Sequence, residues 1–228
     1  MARTVEERYK FKPFIGSSHA WALERVRALA QNARILDFGA GAGCIGEALK
    51  ALGYDQIYAV ELDRSVHPRL NSIYKEVSES VDSLQQPQFD VLLVMDVLEH
   101  VPNPEALLNE LIKKISPGGS IILSLPNVGH WSARLALLFG RFTEFERGIL
   151  DRTHLHFYTR RTFHKFLAKF ENVHISQTYA SISPAELALP KIFCDNPIWS
   201  WLSELRLKLA TKFPSLLAYQ HLALLVKR

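Results

Sequence analysis

Two features of the sequence point to chemistry: a glycine-rich stretch and a carboxylate that follows it. The apolar run 35–38 leads into residues 39–43, where glycine occupies alternate positions, and Glu61 ends a second apolar run. Glycines let the backbone approach a ligand without a Cβ in the way, and the start of the next helix presents N–H groups suited to a carboxylate or phosphate. A carboxylate at the end of the following strand can bind both ribose hydroxyls. The pattern predicts a site for a nucleoside-containing cofactor.

The glycine spacing alone leaves open which cofactor binds. Gly41, Gly43 and Gly46 fit the Gly-x-Gly-x-x-Gly fingerprint of dinucleotide-binding proteins. The motif taken alone is also compatible with an NAD-dependent oxidoreductase. Binding of NADH, and not of an adenosyl ligand, would identify the protein as that class.

The sequence around the glycines resembles a known family. Residues 37–43 (Asp-Phe-Gly-Ala-Gly-Ala-Gly) resemble the first motif of class I S-adenosylmethionine (SAM) dependent methyltransferases, and Glu61 resembles their ribose-binding acid. Residues 89–101 resemble the family's fourth-strand motif, which often ends in Asp-Val-Leu-Glu-His, and residues 116–127 resemble its Pro-Gly-Gly turn into strand five. The resemblance covers about residues 15–180.

The resemblance implies SAM as the cofactor and S-adenosylhomocysteine as the product. It implies that Asp37 and the glycines shape the methionine end of the site, whereas Glu61 holds the ribose. The positions that it places around the cofactor are Ser18, His19, Asp37, Gly39, Ala40, Gly41, Gly43, Glu61, Leu62, Asp96 and Val97. SAM binding in this family needs no metal, and the sequence shows no cluster with metal-ligand spacing, so no metal site is expected.

Residues 128–158 form a long connection rich in His, Arg, Asp and aromatic residues. Long irregular connections are usually functional lids or disordered segments, and this one is too aromatic for disorder. We expect a lid over the acceptor, with His154 as the catalytic base and Asp151 orienting it; His100 is the second candidate, because imidazole takes up a proton near neutral pH. The alternatives are a purely structural His154 and methyl transfer by positioning alone. The predicted acceptor contacts are Asn127, Trp131, Arg134 and Tyr158.

Strands that alternate with helices predict an α/β fold with a doubly wound, mostly parallel, Rossmann-like sheet. Ligands bind at the carboxyl ends of such strands. One domain, 1–228, is expected, with an N-terminal arm and helix (1–30), the lid (128–158) and an apolar helical insertion (184–218) before the last strand. The seven predicted strands are 33–38, 56–61, 74–78, 89–95, 119–125, 172–179 and 219–227.

Charge and hydropathy restrict the partners. The net charge of +4 comes from scattered residues, so no basic face for nucleic acid is expected. Residues 1–8 lack an apolar signal core and no run reaches the ~18 apolar residues of a membrane span, which predicts a cytoplasmic protein. The apolar insertion 184–218 is expected to cap the sheet; a homodimer contact and peripheral membrane contact are the alternatives.

The function expected from these features is SAM-dependent methylation of a small molecule or a saccharide- or lipid-linked biosynthetic intermediate, with oxygen as the first choice of acceptor atom. Residues 127–159 are similar to a bacterial subgroup often associated with cell-surface polysaccharide or other secondary biosynthesis. A catalytically silent SAM-binding partner subunit is the alternative from a different functional class.

Overall fold

The protein is built around one seven-stranded sheet with the order β3-β2-β1-β4-β5-β7-β6. β7 is antiparallel to both of its neighbours, whereas the other pairs are parallel. The strands are β1 (Ile35–Phe38), β2 (Ile57–Val60), β3 (Glu76–Ser78), β4 (Phe89–Met95), β5 (Ile115–Pro126), β6 (Val173–Ala180) and β7 (Gln220–Lys227). The predicted α/β fold with a mostly parallel sheet is confirmed. The order departs from the 3-2-1-4-5-6 arrangement of dinucleotide-binding folds.

A computed structural model describes residues 11–142, 145–187, 189, 194 and 196–228. The first ten residues of the predicted arm, two residues of the lid (143–144) and six residues of the predicted insertion (188, 190–193 and 195) lie outside the described residues.

The helices lie on both faces of the sheet. Those that lie in the described residues are α1 (Ser18–Val26), α2 (Cys44–Ala51), α3 (His67–Ile73), α4 (Pro104–Lys113), α5 (Trp131–Leu138), α6 (Arg160–Leu167), α7 (Pro197–Lys212) and α8 (Pro214–Leu217). Side-chain hydrogen bonds define where two of these helices begin: Ser17 caps the N-terminus of α1, and Thr159 forms a capping box with Thr162 at the N-terminus of α6. None of the helices in the described ranges is long and apolar enough to cross a membrane.

The core divides into two layers because successive side chains of a strand point to opposite faces. Ile35 and Leu93 pack with α1, α2 and α3 on one side, while Leu36 and Leu92 pack with α4 and α6 on the other. Strands buried on both faces read as continuous apolar runs, which is why β1 and β4 were recognisable in the sequence.

Residues 64–73 form a 3₁₀ turn (Arg64–Val66) followed by α3, so that Pro68 lies in the first helical turn, where its missing N–H costs nothing. One predicted strand boundary differs from the structure by more than two residues. β5 begins at Ile115, four residues before the predicted start, because Ile115 pairs with Phe89 across a register shift in the ladder.

Candidate functional site

The glycine loop after β1 has the backbone that its sequence predicts. Gly39, Gly41 and Gly43 all have positive φ, at 76°, 54° and 82°, a region that side chains with a Cβ rarely adopt. A Cβ on Gly39 would also lie 2.6 Å from Cγ2 of Val97. Gly43 is the N-cap of α2, so the loop delivers the chain directly into a helix N-terminus, with Ala40 buried beneath it.

Glu61 lies at the carboxyl end of β2, against the glycine loop. Its Oε2 accepts a hydrogen bond of 2.7 Å from the backbone N–H of Gly41, and its Oε1 accepts one of 2.9 Å from the N–H of Asp63. The next residue, Leu62, is 78% exposed, which leaves its side chain free to cover a flat ring. The acid and the loop predicted from sequence therefore meet at one edge of the sheet.

Asp37 lies beneath this loop and is almost completely buried. Its Oδ2 accepts a hydrogen bond of 2.5 Å from the hydroxyl of Tyr74. Burial raises the pKa of Asp37 to about 6; the Tyr74 hydrogen bond opposes this shift, and the charge of Glu61 adds to it. Burial likewise raises the pKa of the Cys44 thiol to about 12, which disfavours the reactive thiolate form.

Asp96 is the residue after β4 and has a strained backbone. Its φ is +57°, the only positive value recorded among the described residues other than glycine. Ser124 donates a hydrogen bond of 2.6 Å to its Oδ1, and the Gln220 amide donates to its Oδ2. Lys12 Nζ lies 4.0 Å from the same Oδ2. Strain held by several contacts is a mark of functional sites.

The N-terminal segment covers this edge of the sheet. Lys12 donates its backbone N–H to Nδ1 of His19 at 3.3 Å, and the rings of Phe11 and His19 stack at 5.7 Å. Burial first, and the charge of Lys12 second, lower the pKa of His19 to about 4. Ser18 is fully buried and its hydroxyl has no partner among the described residues. His19 thus lies close enough to Asp96 to feel the charge of its carboxylate.

The lid returns to the end of β4, where Glu99 and His100 form a single 3₁₀ turn. The backbone N–H groups of Leu155 and His156 donate to the Glu99 carbonyl at 2.8 and 3.1 Å. Further along, the N–H of Val128 donates to the carbonyl of Tyr158 at 2.9 Å. These bonds fix the second half of the lid against the sheet edge.

The docked lid brings together the two predicted bases and one residue that the sequence did not single out. The rings of His100 and His154 are 4.7 Å apart, and Nε2 of His154 is 3.9 Å from Oε1 of Glu99. Glu99 is completely buried. Burial first, then the charge of Asp96, raises its pKa well above the usual range, whereas burial lowers the pKa of His154. Both shifts favour the uncharged form of the residue concerned.

Asp151 supports a different histidine from the one expected. Nδ1 of His154 faces the Ile149 carbonyl at 3.2 Å. The Asp151 carboxylate instead accepts a hydrogen bond of 2.6 Å from Thr153 Oγ1, and that oxygen lies 3.0 Å from Nδ1 of His100. The backbone carbonyl of Asp151 accepts a hydrogen bond of 3.0 Å from the N–H of His154. The predicted bond from the His154 ring to the Asp151 carboxylate is not among the hydrogen bonds of the described residues, because the two side chains bond Ile149 and Thr153 instead.

Three of the four predicted acceptor contacts have structural partners. The Asn127 amide donates to the Ala218 carbonyl at 2.8 Å and accepts from the Gly129 N–H at 2.9 Å. Arg134 donates to the Gly129 and Ser215 carbonyls, and Tyr158 is buried in the core against Phe166. Trp131 is 48% exposed, and Arg134 is also exposed despite its two carbonyl partners, so both keep surface that a ligand could contact. All four residues lie at the carboxyl edge of the sheet or on the connection that follows it, and their role as acceptor contacts stays a prediction.

Four residues that contact predicted site residues were not identified from the sequence: Lys12, Tyr74, Glu99 and Thr153. The sequence does mark Glu99 as a candidate site residue, because it is a charged residue that follows an apolar strand and directly precedes a histidine. The other three carry no such mark, because each acts through a contact with a segment distant in sequence.

The fold and the site together define a class I SAM-dependent methyltransferase. A family model described as a methyltransferase domain matches residues 16–174, and the chain belongs to that family. SAM is accordingly its cofactor, and the NAD-dependent alternative was wrong.

Individual relatives agree with this class. The chain is 36% identical over 111 residues to a ubiquinone biosynthesis O-methyltransferase of Xanthomonas campestris pv. campestris, which covers 44% of this chain and 46% of that protein. A mitochondrial enzyme of the same name from Schizosaccharomyces pombe is 34% identical over 110 residues, covering 44% and 40%. The chain thus matches less than half the length of these curated relatives.

Solved structures show the same fold at low identity. A SAM-dependent methyltransferase from Archaeoglobus fulgidus aligns with a TM-score of 0.59 at 19% identity, covering 95% of this chain and 97% of the other. The N-methyltransferase NodS from Bradyrhizobium japonicum WM9, in complex with S-adenosyl-L-homocysteine, aligns with a TM-score of 0.54 at 12% identity, covering 92% and 85%.

Proposed function

We propose that the protein transfers the methyl group of SAM to a hydroxyl oxygen of a small or lipid-linked acceptor. The observation that carries the proposal is the cluster of Glu99, His100 and His154. Glu99 follows Val97 by two residues, and Val97 packs directly against Gly39 of the cofactor loop: a Cβ on Gly39 would clash with the Val97 side chain. The cluster thus adjoins the cofactor loop.

The cluster can accept the acceptor's proton. Carbonyl oxygens only accept hydrogen bonds, so Nδ1 of His154, which faces the Ile149 carbonyl, carries the hydrogen, and Nε2 keeps its lone pair. Thr153 gives its hydroxyl hydrogen to Asp151, so His100 Nδ1 is likewise the donor to Thr153. Oxygen is favoured as acceptor atom because a hydroxyl must lose a proton as it is methylated.

The lid surface supports an acceptor with an apolar part. Phe142 and Phe157 are half exposed and contact each other at 6.0 Å, and the Phe157 ring lies 6.1 Å from that of His154. Trp131 is exposed on the same connection. The names of the curated relatives, which are O-methyltransferases, agree with oxygen as the acceptor atom.

The test is methyl transfer from labelled SAM to a panel of phenols, catechols, isoprenoid-linked phenols, saccharides and amines. We expect labelled product only with hydroxyl acceptors, and fragmentation by mass spectrometry should place the methyl group on oxygen. A product methylated on nitrogen or carbon would overturn the proposal. SAM binding without transfer to any acceptor would favour the silent partner subunit.

A further inference from the structure

Three side chains that can bind a metal converge at the end of β4. One carboxylate oxygen of Glu99 and one ring nitrogen each of His100 and His154 lie within 4.8 Å of one another. Around an ion with ligand distances of about 2.1 Å, neighbouring ligand atoms are about 3 to 3.5 Å apart. The 3.9 Å between His154 Nε2 and Glu99 Oε1 is already close to that spacing, so side-chain movements of about 1 Å complete the set.

Glu99 needs a partner of this kind. It is completely buried, and neither of its oxygens makes a well-formed hydrogen bond to any described residue; it has only a contact with its own backbone N–H. Buried carboxylates are normally paired, hydrogen-bonded or bound to a metal, because leaving them unpartnered is costly. Nε2 of His154 lies 3.9 Å from Oε1 of Glu99, which is beyond hydrogen-bond distance.

Both histidines are held in the tautomer that a metal requires. In metal sites the ligating nitrogen is unprotonated, while the other ring nitrogen donates to a carbonyl or to a carboxylate-linked group. His154 Nδ1 donates to the Ile149 carbonyl at 3.2 Å. His100 Nδ1 lies 3.3 Å from the Thr153 carbonyl and 3.0 Å from Thr153 Oγ1, which is tied to Asp151. Each Nε2 therefore keeps its lone pair.

We propose that Glu99, His100 and His154 form a binding site for a divalent transition-metal cation of the Zn²⁺ type that holds the acceptor oxygen. Two imidazoles and one carboxylate are the ligand set of catalytic zinc sites, which keep a further position open. This inference rests on the proposed function, but it assigns deprotonation of the acceptor hydroxyl to the bound cation in place of the His154 imidazole. It also departs from the expectation that no metal binds.

A cation here supplies the chemistry that oxygen methylation needs. It lowers the pKa of a bound hydroxyl, so that the proton leaves to solvent. The oxyanion then forms the O–C bond as the C–S bond of SAM breaks, and the electron pair of that bond goes to the sulfonium sulfur. Asp151 and Thr153 act as positioning residues through His100.

The test is titration of chelator-treated, tag-free full-length chain with Co²⁺, followed by absorption spectroscopy, and with Zn²⁺, followed by calorimetry. We expect one equivalent per chain, with ligand-field bands for Co²⁺. His154→Ala and Glu99→Gln should each weaken binding at least tenfold, whereas His156→Ala, a lid histidine whose Nε2 faces the Pro102 carbonyl, should bind as the parent does. Thr153→Val should weaken binding tenfold or more, and Thr153→Ser should restore it.

Two further measurements keep the outcomes separate. Circular dichroism and SAM titration of each variant identify those that fail to fold; if Glu99→Gln does so, His100→Ala takes its place, because His100 lies at the surface of the cluster. Absence of saturable Co²⁺ and Zn²⁺ binding, or binding that all three ligand variants retain, overturns the metal site. Methyl transfer that proceeds at the parent rate in excess chelator overturns the role of the cation while leaving the proposed function intact.

Discussion

Tyr74 donates a hydrogen bond of 2.5 Å to the buried carboxylate of Asp37, and it can do so only because residue 46 is a glycine. A Cβ at Gly46 would lie 2.2 Å from Cζ of Tyr74 and 2.4 Å from its hydroxyl oxygen. Gly46, the fourth glycine after β1, therefore makes room for the tyrosine that hydrogen-bonds Asp37. Three positions from β1, α2 and the end of α3 form one unit beneath the cofactor site.

Gly46→Ala should destabilise the protein by about 1 to 3 kcal/mol, as overpacking of a buried contact does. Combining it with Tyr74→Ala should give a loss smaller than the sum of the two single losses, because the added methyl group then occupies the space left by the ring. Urea denaturation of the four proteins measures this cycle. Strictly additive losses would show that the two residues do not share this contact.

The free energy of unfolding should vary with pH because of the ionisation of Asp37. Its pKa is about 6 in the folded protein and 3.8 in its ordinary state. Because the folded-state value is the higher one, the folded protein binds the proton more tightly, so this contribution to stability is complete below pH 3.8 and is lost as the pH rises through about 6. The difference is worth about 3 kcal/mol at most.

Asp37→Asn is the variant that tests this. The free energy of unfolding, measured by denaturant titration between pH 4 and 7, should decrease less with rising pH in the variant than in the parent protein. The parent and variant curves would run parallel if the pKa of Asp37 were unshifted. In the same pH range SAM, which is cationic, should bind the parent protein more tightly as Asp37 ionises.

Glu61→Ala should weaken SAM binding by about tenfold to a hundredfold, since it removes a charged hydrogen-bond acceptor worth about 1.5 to 3 kcal/mol. Calorimetric titration with SAM and S-adenosylhomocysteine measures the effect. Glu79→Ala is the matched control, because Glu79 is also a strand-end carboxylate but pairs with the exposed Arg64. Equal weakening in both variants would contradict the role of Glu61.

The sequence could predict the cofactor half of the site because its parts are local. Glu61 ends a strand that pairs with β1, and the glycines follow β1 directly, so periodicity and turn chemistry are enough to bring them together. The acceptor half depends on where the lid docks. Glu99 and His154 meet through backbone hydrogen bonds between segments more than fifty residues apart, and no local pattern encodes such a contact. For the same reason Asn127 was placed at the correct edge, but its bonds to Gly129 and Ala218 could not be foreseen.

His154→Ala should separate chemistry from cofactor binding. His154 is in the lid, whereas the residues predicted to hold SAM are on the glycine loop and at the end of β2. The dissociation constant for SAM should therefore change less than twofold, within about 0.4 kcal/mol. Turnover with the acceptor identified in the panel should fall by about 10²-fold to 10⁴-fold. This is the range expected when a group that assists removal of the hydroxyl proton is lost.

The control is His156→Ala, two residues further along the same segment. Its side chain contacts the Pro102 carbonyl and its backbone bond to Glu99 survives the substitution, so both SAM binding and turnover should match the parent protein. If His154→Ala lost SAM affinity as strongly as Glu61→Ala, the division between a cofactor half and an acceptor half of the site would be wrong. If His156→Ala lost turnover as strongly as His154→Ala, the effect would belong to lid docking and not to the His154 imidazole.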